Sequence, residues 1–243
     1  MKLLIDADIY AYRSVSATEE ETDWGDDVWS LTTDIRAAKR IFKEELNKIA
    51  EELNSDDFLL CFSSSNNFRK DLNPTYKSGR KKTRKPLGYA SFVAFLKEVM
   101  PSITRDGLEA DDVLGILATQ PDNIGKCIVV SDDKDLKTIP CKLYRPHAHE
   151  RLDVTEADAD KWFLTQTLTG DSTDGYAGCP TIGAKRAETI LGPRPSWQQV
   201  EAAFIQQGLT KDDALLQARM ARILRWSDWN HKDNKPILWE PTS

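Results

Sequence analysis

The sequence predicts an α/β protein with a mostly parallel central sheet flanked by helices and a helical region after it. Three observations carry this. Continuous apolar runs recur at residues 3–5, 58–62 and 127–130, with a further strand-like segment at 141–144, the pattern of strands covered on both faces. Segments with helical periodicity separate them, as crossover connections between parallel strands require. After Thr155 the strand-like runs cease and helical spacing continues nearly to the end.

Taken in order, residues 2–6 form a short buried strand. Asp34 is placed to cap a long helix, because Ile35, Ala38, Ile41, Phe42, Leu46, Ile49 and Leu53 keep helical spacing. Residues 58–62 supply the next strand. A basic tract then ends near Pro86, Leu87 and Gly88, and Phe92, Leu96 and Val99 line one side of a following helix. Glu109 opens a helix that buries Ala110, Val113, Leu114 and Leu117, with strands next at 127–130 and 141–144. Thr155 with Asp158 resembles a capping box ahead of Ala157, Trp162, Phe163 and Leu168. Thr210 opens the last helix, with Ala214, Leu215, Ala218, Ile223, Leu224 and Trp226 as its apolar series. Residues 19–27, acidic and followed by Trp29, read as a loop. The expected division is an α/β core over 1–154 and a helical region over 155–243, with no linker composition between them.

A chain of 243 residues can bury a real core. Its 40% hydrophobic and 30% charged residues are ordinary for a soluble globular protein. No apolar run approaches the roughly 18 residues that span a bilayer, so no membrane contact and a cytoplasmic location are expected. Cys61, Cys127, Cys141 and Cys179 lack metal-site or redox spacing and read as reduced thiols.

The net charge of −6 argues against a polyanionic partner, but its distribution reverses that reading. Arg69, Lys70, Lys77, Arg80, Lys81, Lys82, Arg84 and Lys85 face only Asp71, a local +7 that leaves −13 on the rest of the chain. Such a segment draws a phosphate backbone to one place. The interleaved Phe68 and Tyr76 add surfaces on which bases can stack.

Acidic groups recur where strands end and helices begin: Asp6 with Asp8, Glu109 with Asp111 and Asp112, Asp133 with Asp135, and Asp171 with Asp174. In a parallel sheet these positions converge at the carboxyl ends of the strands. Any single pair is explained by a helix cap or a surface ion pair. Four groups at one level repel unless cations neutralise them, and oxygen-only ligands suit Mg²⁺ or Mn²⁺. Metal together with polyanion points to phosphodiester chemistry. Near residue 183, Gly183 permits close backbone approach, and the next helix offers free N–H groups to a phosphate. Lys185 and Arg186 stand in its first turn, where cations oppose the helix dipole unless an anion binds.

These motifs resemble the 5′→3′ exonuclease/flap endonuclease family, most closely the exonucleases of short-tailed lytic phages. Asp6, Glu109-Ala-Asp111-Asp112, Ser131-Asp-Asp133-Lys-Asp135, Gly170-Asp171-Ser-Thr-Asp174 and Gly183-Ala-Lys185 carry the resemblance, which spans nearly the whole chain. It implies a PIN-like nuclease core with a basic arch at about 66–88, and a helix–three-turn–helix beyond it. It also implies two Mg²⁺ or Mn²⁺ ions. Asp6, Glu109 and Asp111 would serve the first, with Asp112 accessory. Asp133, Asp135 and Asp174 would serve the second, with Asp171 close by. Tyr76, Lys77 and Arg80 would engage the scissile nucleotide. Arg69, Lys70, Lys81 and Lys82 would bind substrate, and Gly183, Lys185 and Arg186 would grip duplex backbone, where the family often holds K⁺. The implied partner is DNA with a duplex and a free 5′ end or 5′ flap, and RNA primer ends are a further substrate in this class. Ser64 stands where the family has an aspartate ligand.

Two other readings compete. A DNA-structure-binding protein weakened in catalysis follows from Ser64. A haloacid-dehalogenase-like phosphatase would use Asp6 and Asp8, but Tyr10 stands where that motif has Thr or Val, and the basic tract is left without a role. His147 and His149 lack a third soft ligand and read as a surface loop. Trp162, Trp197, Trp226 and Trp229 read as core.

Overall fold

The computed structural model describes residues 1–79 and 84–241. The predicted binding residues Arg80, Lys81 and Lys82 therefore lie outside the described residues. The first half contains β1 (Lys2–Asp6), α1 (Ala7–Ser16), β2 (Glu19–Asp23), β3 (Trp29–Thr33), α2 (Ile35–Leu53), β4 (Phe58–Phe62), α3 (Arg69–Leu72), α4 (Tyr89–Val99) and β5 (Ser102–Thr104). It is followed by α5 (Ala110–Ala118), β6 (Cys127–Val130), β7 (Lys142–Arg145) and β8 (Glu150–Asp153). The last part comprises α6 (Glu156–Thr169), α7 (Ala184–Leu191), α8 (Trp197–Gln206), α9 (Lys211–Ala221), β9 (Trp229–Asn230) and β10 (Lys235–Pro236).

Six strands form one sheet in the order β5-β4-β1-β6-β7-β8. Every pairing in it is parallel except β7 with β8. From β1 the chain first builds toward β5, then returns to add β6 on the other side. The order thus reverses between β1 and β6, and the crevice at their carboxyl ends is where ligands gather in such sheets. Asp6 ends β1 and Ser131 follows β6 at that crevice.

Local chemistry explains most element boundaries. Asp34 caps α2 by accepting from the amides of Arg36 and Ala37 at 2.9 and 3.0 Å. Thr155 accepts from the Asp158 amide at the start of α6. Several boundaries depart from the sequence expectation. Asp8 lies in the first turn of α1, because the chain turns directly into helix after Asp6. The expected loop at 19–27 begins with a strand of the antiparallel hairpin β2–β3. The last helix stops at Ala221, and Ile223 and Leu224 run on as buried extended chain. Val99 is exposed, as are Trp24 and Trp29. Trp197 and Trp229 are buried, whereas Trp162 and Trp226 are partly covered. The four cysteines are free, with Cys141 partly exposed and the others buried.

The apolar core lies on both faces of the sheet and continues among α6–α9. Gly115 shows how closely the last part approaches α5. A Cβ there would stand 2.3 Å from the Leu224 carbonyl oxygen, so only glycine admits that strand of chain. The same junction holds a buried ion pair that the sequence assigned differently. Arg69 was expected to bind substrate and Asp112 to assist a metal. Instead the Arg69 guanidinium donates to both Asp112 oxygens at 2.8 and 2.7 Å, and also to the carbonyls of Met220 and Arg222. Asp112 accepts from the Leu224 amide as well, and both side chains are buried. Both side chains are therefore engaged with each other rather than directed to the roles the sequence suggested.

Breaking this pair from one side leaves a buried charge without a partner. Asp112→Ala should cost about 3–5 kcal/mol in urea unfolding, with Arg69→Met plus Asp112→Leu recovering much of the loss. A single-variant loss under about 1 kcal/mol would show that the pair does not hold the junction.

Candidate metal-dependent active site

A cleft of about 1340 Å³ opens at the carboxyl edge of the sheet. Asp6, Glu109, Asp111, Asp133, Asp135, Asp171 and Asp174 line it, with Lys70, Lys77, Arg84 and Lys85 among its cations. The structure thus brings seven of the eight predicted acidic residues to one cavity. Asp112 is the exception, turned inward to Arg69.

Each acid is positioned by its own element. Asp6 ends β1 and accepts from Ser131 Oγ at 2.7 Å across the crevice. The same hydroxyl accepts from the Asp133 amide at 3.1 Å, so one serine ties two acidic positions together. Asp133 begins a short 3-10 turn and accepts from the Asp135 amide at 2.8 Å. Asp135 is fixed by Gln166 of α6, which donates to it at 2.6 Å. Asp171 folds its own loop, accepting from the amides of Thr173 and Asp174 at 2.7 and 3.2 Å. Gly170 makes this loop possible, since its φ of +66° is left-handed and a Cβ would collide with Ala177. Ser131 stood beside the acidic motif in the sequence. Gln166 had no sequence signal, because only the packing of α6 brings it here.

The acids divide into two electrostatic groups. Glu109 and Asp174 already have a cation. Lys77 Nζ lies 2.6 Å from Glu109 and 3.5 Å from Asp174, and Tyr76 donates its hydroxyl to both at 2.8 and 3.3 Å. Burial alone would raise the Glu109 carboxyl, but Lys77, Arg69 and Tyr76 hold it at about 2. Among the described residues, no Lys or Arg forms an ion pair with Asp6, Asp111 or Asp133, although Lys77 lowers Asp111 from a distance. Burial, with Asp8 and Asp133 adding to it, pushes Asp6 up to about 7 against the Ser131 hydrogen bond. Burial and the charges of Asp6 and Asp133 raise Asp111 as well. Asp135 is pushed to about 7 by burial and Asp133.

The donor set is oxygen-only and short of positive charge around Asp6, Asp111 and Asp133, which suits a hard divalent cation. No three His, Cys, Asp or Glu side chains among the described residues stand close enough together to form a ready-made cage. Mg²⁺ keeps several waters and takes few direct carboxylates, so its binding does not require one.

Other predicted residues fall as follows. Tyr76 is buried against the helical part and engages acids, so its ring offers no stacking surface. Lys70 is exposed beside the cleft. Gly183, Lys185 and Arg186 are exposed at the start of α7, outside the lining of the cleft. Gly183 has φ −94°, so the tight turn comes from Thr181 at +65°, and Gly183 contributes open space where no Cβ stands. Asp8 is a structural tie that accepts from the Ser63 amide and the Tyr89 hydroxyl. Ser64 Oγ lies 3.2 Å from Asp106. His147 packs its ring on Asp132 and Arg13.

A mostly parallel sheet with an acidic crevice at its switch point and a cationic rim suits a divalent cation together with a phosphate-bearing ligand. Residues 1–159 match the model of the 5′-3′ exonuclease N-terminal resolvase-like domain, and the chain belongs to that family. It is 31% identical to the exonuclease of Escherichia phage T7 over 98% of this chain and 93% of the relative. The flap endonuclease Xni of Vibrio atlanticus is 29% identical over 81% of this chain and 84% of its own. The fold matches the bacteriophage T5 flap endonuclease, solved with DNA and metal ions, at a TM-score of 0.65 and 13% identity, covering 90% of this chain and 88% of that one.

The raised carboxyls have a consequence for stability. An Asp whose folded value is about 7 keeps a proton that the unfolded chain releases near 3.8, so stability falls as pH rises between those values. Asp6→Asn removes that loss. In metal-free buffer its unfolding temperature should exceed the parent's at pH 8 and converge with it near pH 4. A constant difference across that range would place the titration elsewhere.

Proposed function

We propose that the chain is a divalent-metal-dependent 5′→3′ exonuclease and 5′-flap endonuclease acting on duplex DNA, and on RNA primer ends, in phage-type replication. The observation that carries this is the acidic crevice at the switch point, with its cationic rim, in a chain of the 5′-3′ exonuclease family. Solved relatives of the same fold hold DNA and metal ions, in the T5 flap endonuclease, or zinc, in the T5 5′-exonuclease. No helix among the described residues is long and apolar enough to cross a membrane, in keeping with work in the cytoplasm, that of the host if the chain is phage-encoded.

Asp6, Glu109 and Asp111 would hold one Mg²⁺ or Mn²⁺, and Asp133, Asp135 and Asp174, with Asp171, the second. Bound there, the ions would activate water and neutralise charge on the leaving 3′ oxygen. Lys77, between the two groups of acids, places a positive charge where negative charge grows on the scissile phosphate. Tyr76 orients Glu109 and Asp174 rather than stacking on a base. Lys70, Arg84 and Lys85 hold the backbone at the rim. Over 155–243, the turn at 181–183 with Lys185 and Arg186 grips duplex phosphates from the exposed start of α7, and its carbonyls are the place for K⁺. The phosphatase reading fails on Asp8, whose carboxylate is committed to Ser63 and Tyr89.

With Mg²⁺ or Mn²⁺ the chain should release short products from 5′-labelled duplex ends and cut 5′ flaps, and EDTA should stop both. Products from 3′ ends alone would defeat the proposal. Binding of flapped DNA without cleavage at any metal concentration would favour the catalytically weakened reading that Ser64 suggests.

Replacing Lys185 and Arg186 together with Ala should weaken duplex binding more than single-strand binding. The slope of log affinity against log salt should shrink by about 2, one counterion per lost contact. An unchanged slope would remove α7 from the DNA interface.

A further inference from the structure

The hairpin β2–β3 carries Glu19, Glu20, Glu21, Asp23, Asp26 and Asp27 without a Lys or Arg between residues 14 and 35. Its register sets Glu19 opposite Thr33, Glu21 opposite Leu31 and Asp23 opposite Trp29. Residues directly opposite in an antiparallel pair share a face, and Leu31 on this face lines the cleft. An acidic arm beside a DNA cleft repels the substrate unless it has another task.

Glu19 shows that task. Its carboxylate accepts from Arg84 Nη2 at 2.7 Å and Nη1 at 2.9 Å, and from the Leu87 amide at 2.6 Å. An isolated exposed ion pair contributes little. Here one carboxylate receives a two-pronged guanidinium and a backbone N–H together, which fixes direction as well as distance. The Glu19 side chain is only 17% exposed. Lys85, next to Arg84, sits over the Tyr89 ring, whose hydroxyl is tied to Asp8. At the other end of the segment the Lys77 amide donates to the Asp174 carbonyl at 2.8 Å. Lys77 and Arg84 are thus each tied by a partner outside the segment, and Glu19 is the one that holds Arg84.

We infer that Glu19 is a positioning residue that fixes Arg84 and Lys85 at the cleft rim, so that a DNA backbone meets them already in place. This rests on the nuclease reading for its kinetic consequence only.

The test uses the full chain with Glu19→Ala, Glu19→Gln and, as control, Glu21→Ala. Glu21 has the same charge on the same hairpin face and bonds neither Arg84 nor Leu87. Hydrogen exchange at the Leu87 amide is measured without DNA, and kcat and KM are measured on a 5′-flapped duplex. Glu19→Ala should speed Leu87 exchange at least about tenfold, because its acceptor is gone. It should raise KM by roughly three- to tenfold with kcat within about twofold, the pattern of lost uniform binding. Glu19→Gln keeps an acceptor for Leu87 but loses the ion pair, and should fall between. Glu21→Ala should leave exchange unchanged. Unchanged Leu87 exchange in Glu19→Ala overturns the inference, as does an equal effect from Glu21→Ala. A fall in KM overturns it too, since the hairpin would then compete with DNA instead of preparing its site. If the parent cuts no DNA, the nuclease reading fails while the exchange result still decides the mooring.

Discussion

The buried pair of Arg69 and Asp112 is the constraint on which the rest of the site depends. Asp112 lies in the first turn of α5, one residue from Asp111 and three from Glu109. Arg69 begins α3, just ahead of Tyr76 and Lys77. The guanidinium also takes the carbonyls of Met220 and Arg222 where α9 ends. One interaction therefore joins the acidic helix, the start of the cationic segment and the last helix. Two buried charges gain little net stability over apolar residues of equal size. Their geometry is directional, however, and it aims Glu109 and Lys77 at each other.

That aim divides the charge of the cleft. Glu109 and Asp174 are neutralised from within by Lys77, while Asp6, Asp111 and Asp133 are left to repel one another. Repulsion in a buried site destabilises the metal-free protein and favours any cation that arrives. The lysine prevents the same cost at Glu109 and Asp174. The residues that hold the acids in place, Ser131 and Gln166, are neutral. They orient carboxylates without satisfying the charge that would bind an ion.

Much of this was legible in the sequence, for identifiable reasons. Buried parallel strands are continuous apolar runs, and α2 shows both its cap and its periodicity. Asp6, Asp133 and Asp135 could be placed at the cleft because they follow the parallel strands β1 and β6, whereas Asp171 and Asp174 follow helix α6 and were marked only by their motif. The failures share a cause as well. Arg69 and Tyr76 sit in a stretch whose composition reads as solvated and cationic, yet both are buried, Arg69 against the end of α9 and Tyr76 in the cluster of the helical part. Asp112 matches its neighbours in type and differs only in the direction a helical turn gives it. The hairpin at 19–33 hides because acidic residues are poor strand formers and one of its faces is open to solvent.

Ser64 shows how the charge division bears on a departure from the family's pattern. An aspartate there would add a further carboxylate to the cleft that contains Asp6 and Asp111, both already raised by burial and by neighbouring acids. In the metal-free chain it would push those groups higher and weaken the fold at neutral pH, by the linkage that makes raised acids costly. A hydroxyl avoids that cost, and Ser64 also ties its loop by accepting from the Asn66 amide and donating to Asp106. Under the proposed two-ion site, what would be given up is one charged ligand for an ion that fills its remaining positions with water. A serine at 64 would then exchange metal affinity for stability of the empty site, with the largest effect at Asp6 and Asp111, the acids raised by burial and by their neighbours.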